Sequence, residues 1–258
     1  MPGAKKDTAK DADQKKKNTE TKKPEPEKPK PLTLPQELKA NLDALVKATE
    51  NRTHGPILRV LRRTNHVRRN LPNADLHRVV EKYVSDDMPF KAALLAGINE
   101  LTPTEKDAPK DGDTKPEVLG EIVSSGQAGD PHPEVEAYLS NIVINNLLRD
   151  SKNDTAADLA AKVLTHFSQF NKRNLDVFTS QTTSFLSLAH QNLGTLSSIR
   201  HFLLKAHRSA CLQHNEFGQA TIINLLLRNY LNDSLYDQAS KLVAKVRFPE
   251  TASVNQYV

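Results

Sequence analysis

The chain has 258 residues, 36 basic and 31 acidic side chains, and one cysteine, Cys211, which excludes an intramolecular disulfide and a cysteine-rich metal module. Its lysine-rich start is not a signal peptide, and no run reaches the ~18 apolar residues of a membrane span, so an intracellular soluble protein is expected. Residues 1–31 hold ten lysines against six acids, while the other 227 residues carry 26 basic and 25 acidic groups, so the basicity belongs to the start of the chain and a globally basic nucleic-acid-binding domain loses most of its support.

Residues 1–34 contain almost no apolar side chains that could offset ordering entropy, and they are expected to form a disordered Lys/Pro-rich tail. From there the apolar residues recur at helical spacing. Leu38, Leu42 and Leu45 follow Pro35 and predict a helix to about residue 49; Ile57, Leu58, Val60 and Leu61 follow Gly55-Pro56 and predict a second. Leu76, Val79, Val80, Tyr83 and Val84 mark a third stripe, and Phe90 to Ile98 a fourth, giving an N-terminal helical segment over 35–101. Five prolines and four glycines between 102 and 133 predict a linker. Beyond it, helices are expected at 134–150, 154–170, 173–193, 196–214, 218–231 and 234–246, with short polar connections that suit antiparallel hairpins.

Internal repetition points to the architecture. The stretch Leu147 to Lys162 lies without gaps on Leu226 to Lys241, and half of that offset of 79 lands on Leu193-Gly194-Thr195-Leu196, so the implied unit is a helix pair of about 40 residues. The expected fold is all-α, a helical-repeat (TPR-like) solenoid of antiparallel helix hairpins over 134–258. Asp233 or Ser234 is expected to cap the last helix, with Ala239 allowing close approach and Leu226, Leu227, Tyr230, Leu235, Leu242 and Val243 filling the seam.

No nucleotide-binding glycine loop, nucleophile elbow or His-Glu-x-x-His occurs in the chain. His207, Cys211 and His214 fall at i, i+4 and i+7, the spacing of three ligands on one helix face, but no fourth ligand is evident; a small buried cysteine is the expected reading. No catalytic, cofactor-binding or metal-ligating residue is therefore assigned. Arg59, Arg62 and Arg63, followed by Arg68 and Arg69, form a charged stripe placed opposite Ile57, Leu58 and Leu61. A solvated face is its plainest reading, an acidic partner the next, and nucleic acid the last, because no aromatic residues interleave with the arginines.

The block from Asn215-Glu216-Phe217-Gly218 through Asn224 to Leu231, followed by Ser234-Leu235-Tyr236-Asp237-Gln238-Ala239 and Phe248-Pro249-Glu250, closely resembles the non-ATPase regulatory subunit 3 family of the 26S proteasome lid. Weaker resemblance runs through Pro133 to Leu139, Asn171 to Asp176 and Leu58 to Arg62. The resemblance implies a non-catalytic scaffold of the regulatory particle lid, located in cytoplasm and nucleus and serving ubiquitin-dependent degradation. Its implied partners are other lid subunits, including PCI subunits and a small acidic subunit, with no nucleic acid and no membrane. Nothing after Val258 corresponds to the rest of the family's repeat arm or its PCI module, so an N-terminal portion is expected. The alternative is a helical-repeat adaptor of another PCI-type complex, or a helical-repeat protein carrying RNA on its arginine helix.

Overall fold

A computed structural model describes residues 34–86, 88–102, 132–250, 252 and 256. The described residues form ten α-helices: α1 Leu34–Glu50, α2 Gly55–Asn70, α3 Asn73–Tyr83, α4 Lys91–Glu100, α5 Pro133–Arg149, α6 Asn153–Phe167, α7 Asp176–Asn192, α8 Arg200–Leu212, α9 Glu216–Asn232 and α10 Tyr236–Lys245. No strand occurs among them, and no helix is long and apolar enough to cross a membrane. The expected tail and linker fall almost wholly outside the described residues; where they touch them, Leu34 and Pro133 are helical, while Thr102 and His132 are not.

Local chemistry sets the helix ends. Proline stands in the first turn of α2 and of α5, where its missing N–H is no loss and its fixed φ is already helical. Two expected helices open more tightly than a plain α-helix: 3₁₀ turns at Arg173–Leu175 and Leu196–Ile199 lead into α7 and α8. At the start of α9, the Asn215 side chain accepts a hydrogen bond from the Gly218 N–H at 2.7 Å. A Cβ on Gly218 would lie within 2.7–2.9 Å of that side chain, so the cap and the glycine depend on each other.

Five helices end alike. Arg52, Ser151, Gly194, His214 and Ser234 have φ between 51° and 70°, and the N–H after each returns to a carbonyl five residues back, as in Thr195 N–H to His190 O at 2.9 Å and Leu235 N–H to Tyr230 O at 2.8 Å. This is the Schellman arrangement, which satisfies carbonyls that the helix leaves free. Gly194, His214 and Ser234 stand 20 residues apart, so a hairpin repeats every 40, and Gln256 is helical 20 residues after Tyr236.

The gapless offset of 79 is corrected by one helical turn. Asp150-Ser151 and Asp233-Ser234 hold the same positions in their turns, an offset of 83. A slip of four residues keeps a helix nearly in phase with its apolar face, which is why the false register scores identities. The expected capping also differs. The carboxylate of Asp233 takes the guanidinium of Arg200, Ser234 occupies the left-handed position, and α10 opens at Leu235 without a side-chain cap.

The centre of the structure is α5, in which every residue but Asn145 and Arg149 is buried. It packs on α1, α2, α3, α4, α6 and α7, so the helices before and after the expected linker share one apolar core from Leu38 to Ala189. Tyr138 meets Phe178 edge to face at 6.5 Å, and the Tyr138 hydroxyl lies 3.4 Å from Thr64 Oγ1. Asn141 donates to the Phe178 carbonyl and accepts from the Thr182 hydroxyl at 2.6 Å, closing a polar link inside the α5–α7 interface.

A second apolar cluster unites Leu196, Ile199, Leu203, Ala210, Ile222, Leu226, Tyr230 and Ala239. Here Asn229, fully buried, donates to the Leu196 carbonyl and accepts from Arg200, whose guanidinium also lies over the Tyr230 ring. Ala239 is buried in the α9–α10 seam as expected, with Leu226 and Tyr230; Leu227, Leu235 and Leu242 pack partly, but Val243 is 63% exposed and lies outside it.

The left-handed serines carry a measurable cost. A side chain at positive φ is disfavoured by roughly 1–2 kcal/mol, part of which glycine gives back through its freer unfolded state. Ser151→Gly and Ser234→Gly should each raise stability by about 0.5–1 kcal/mol, and Gly194→Ala, where a Cβ meets open space, should lower it by a similar amount. Urea denaturation followed by circular dichroism reads each change.

Candidate docking groove

Three helices that open on the same side build a groove of about 1140 Å³. From α2 it takes Leu58, Leu61, Arg62 and Asn65; from the start of α7 it takes Asp176, Val177, Gln181 and Ser184, with Arg173 ahead of them; from α9 it takes Phe217, Thr221, Asn224 and Leu225. Each set repeats at three- and four-residue steps, the spacing that keeps side chains on one helix face. The wall therefore follows directly from helical geometry.

The α9 wall already holds a peptide group. Gln256 donates through Nε2 to the Phe217 carbonyl at 3.0 Å and to the Thr221 hydroxyl at 2.8 Å, while its own carbonyl accepts from Asn224 at 2.7 Å. Main-chain and side-chain polar groups on this helix face thus grip both the backbone carbonyl and the amide side chain of one residue laid against it.

The arginine stripe divides between structural and free roles. Arg68 donates to Asn145 Oδ1 at 3.0 Å, and burial, followed by the charges of Arg149 and Arg69, lowers its pKa. Arg59, Arg62 and Arg63 are exposed and form no ion pair with an acid among the described residues. Leu58 was expected on the face opposite them, yet it is 40% exposed. Residues 58 and 62 are four apart and share a face, so the groove receives both, while Ile57, Val60 and Val67 take the core side of α2.

The histidine and cysteine positions do not converge on a metal site. Cys211 is exposed rather than buried, with its sulfur 3.8 Å from His207 Nε2. His214 has left the helix at φ 52° and lines the groove instead. Among the described residues no group of three or more His, Cys, Asp or Glu is placed to hold a metal ion.

Sequence reasoning missed Arg173, Asp176, Phe217 and Gln256 as groove residues, because the groove joins segments more than a hundred positions apart. Desolvation raises the carboxyl of Asp176 to about 6 against the opposing pull of Arg173 and His54. A carboxyl whose folded pKa lies above its unfolded value takes up a proton on folding, so stability from this group is fullest below pH 3.8 and declines as pH rises through about 6. Asp176→Asn should remove that decline. Relative to the unaltered chain it should gain on the order of 1 kcal/mol between pH 4 and pH 7.5, because solvent screens the half-exposed group. Denaturant titration at both pH values measures the difference.

Comparison with known proteins then places the chain. The family model described as PSMD3-like, N-terminal TPR repeats, matches residues 29–258. A Schizosaccharomyces pombe protein named probable 26S proteasome regulatory subunit rpn3 is 33% identical over 224 residues, which cover 86% of this chain and 42% of that protein. The 26S proteasome non-ATPase regulatory subunit 3 of Dictyostelium discoideum is 31% identical over 222 residues, and the probable one of Drosophila melanogaster is 32% identical over 222 residues; each alignment covers 86% of this chain and 43% of the relative. The chain spans less than half the length of these relatives. With the matched region running through all ten helices, the chain belongs to the PSMD3-like family and carries its N-terminal TPR repeats.

Proposed function

We propose that this chain acts as a non-catalytic structural and regulatory part of the 26S proteasome lid, supporting ubiquitin-dependent degradation through contacts made by its helical repeats. The observation that carries the reading is the family match over residues 29–258, which coincides with an array of stacked hairpins. Such arrays present extended surfaces to partner proteins. The names of the relatives as non-ATPase regulatory subunits support a role without catalysis of its own.

Its partners in this reading are other lid subunits, PCI subunits and a small acidic subunit among them, in cytoplasm and nucleus. The exposed faces of the stacked helices are the surfaces offered to them. Affinity purification of the tagged 258-residue chain from cell extract, with quantitative mass spectrometry, should recover proteasome lid subunits well above a tag-only control. Recovery equal to that control would remove the proposal. Triple substitution of Glu136, Tyr138 and Asn141 by alanine, which breaks the buried face of α5, should abolish recovery together with the helical signal.

A further inference from the structure

The 16 residues of α2 include five arginines, no lysine and no acid. Arg59, Arg62 and Arg63 fall within little more than one turn, where Cβ atoms three and four apart are about 5–6 Å from one another. The α1 acid that reaches α2, Glu37, goes to His66 at 2.9 Å and leaves these three guanidiniums without a described ion-pair partner. Beside them lies the groove, with Leu58, Leu61 and Phe217 exposed to its volume.

Guanidinium groups grouped in this way match a tetrahedral dianion, since each offers paired N–H donors to adjacent oxygens. The groove itself limits where negative charge can lie. Beyond the α2 arginines its lining is mixed in charge, with Asp176 and Glu216 offset by Arg173, so positive charge is concentrated at the α2 lip rather than spread along the groove. A ligand with its negative charge at one point and an apolar remainder matches that distribution.

We propose that this face docks a phosphorylated serine or threonine segment of a partner protein, with the phosphate on Arg59, Arg62 and Arg63 and the adjoining apolar residues laid over Leu58, Leu61 and Phe217. The phosphate supplies a charge of about −1.5 to −2 and three acceptor oxygens at one point. The apolar body supplies area that a free phosphate lacks, and it covers the apolar side chains that the groove leaves open. This inference stands on the charge and shape of α2 and its groove, independently of membership in the proteasome.

The test uses the immobilised 258-residue chain and a pool of nine-residue peptides with a fixed central phosphoserine and all other positions degenerate. Matched pools carry serine or three consecutive glutamates in its place, and a degenerate 20-nucleotide RNA forms the fourth arm. The phosphoserine pool should be retained about tenfold or more over the serine pool, with apolar residues enriched on one side of the phosphate. Arg59→Gln, Arg62→Gln and Arg63→Gln together should abolish that preference while circular dichroism stays unchanged. Leu58→Asn, which adds no charge beside Arg62, should keep the phosphate preference and erase the apolar enrichment. Equal retention of the serine pool, stronger retention of the glutamate pool, RNA retention without phosphopeptide retention, no retention of any pool, or indifference to the arginine substitutions would each overturn the proposal.

Discussion

The structure depends on burying one helix on all sides. A helix with one apolar stripe can rest on a single neighbour, but α5 carries buried residues round its whole circumference and needs a jacket. Six helices supply it, four of them from before residue 101 and two from after residue 152. Distant parts of the chain are therefore tied through α5 rather than through direct pairing of their own faces. Polar groups inside this jacket are matched with care at Asn141 and Thr182, but not at the head of the helix, where both oxygens of Glu134 and one of Glu136 are buried without a hydrogen-bond partner. Desolvation accordingly raises the pKa of Glu136, although Ser85 donates to it through both its N–H and its hydroxyl.

From Gly194 onward the organising device changes from envelopment to repetition. A left-handed residue every 20 positions turns the chain by the same motif, so that successive helices are laid down with one geometry. Only one of the three is glycine, which shows that the turn is imposed by packing and returning hydrogen bonds strongly enough to hold a histidine and a serine at positive φ.

Much of this was legible in the sequence. Helix positions followed from the three- and four-residue recurrence of Leu, Val and Ile, and the 40-residue unit followed from repeated turns. The register of the repeat was not legible, because a shift of one turn preserves the apolar pattern, and only the backbone conformation at Ser151 and Ser234 separates an offset of 79 from one of 83. Nor could composition tell that Asp233 would bind Arg200 rather than cap the helix ahead of it: both are ordinary uses of an aspartate, and the choice depends on a helix more than thirty residues away. The groove was readable only in fragments. The arginine stripe was visible, whereas its apposition to Asp176 and Phe217 arises from tertiary packing alone. Leu58 illustrates the limit, since hydrophobicity placed it inside while the groove keeps it partly open.

The division of the buried side chains into two clusters bears on the groove. The larger ends at Ala189 and the smaller begins at Leu196, and between them lies the turn at Gly194, whose φ is 70°. Contacts between α7 and α9 cross this seam, but the apolar cores themselves do not merge across it. The helix interface of α7 with α9, rather than a shared apolar interior, is what joins the two clusters. The groove spans that boundary, with α2 and α7 on the side of the larger cluster and α9 on the side of the smaller, so its width is set by how α9 is seated on α7.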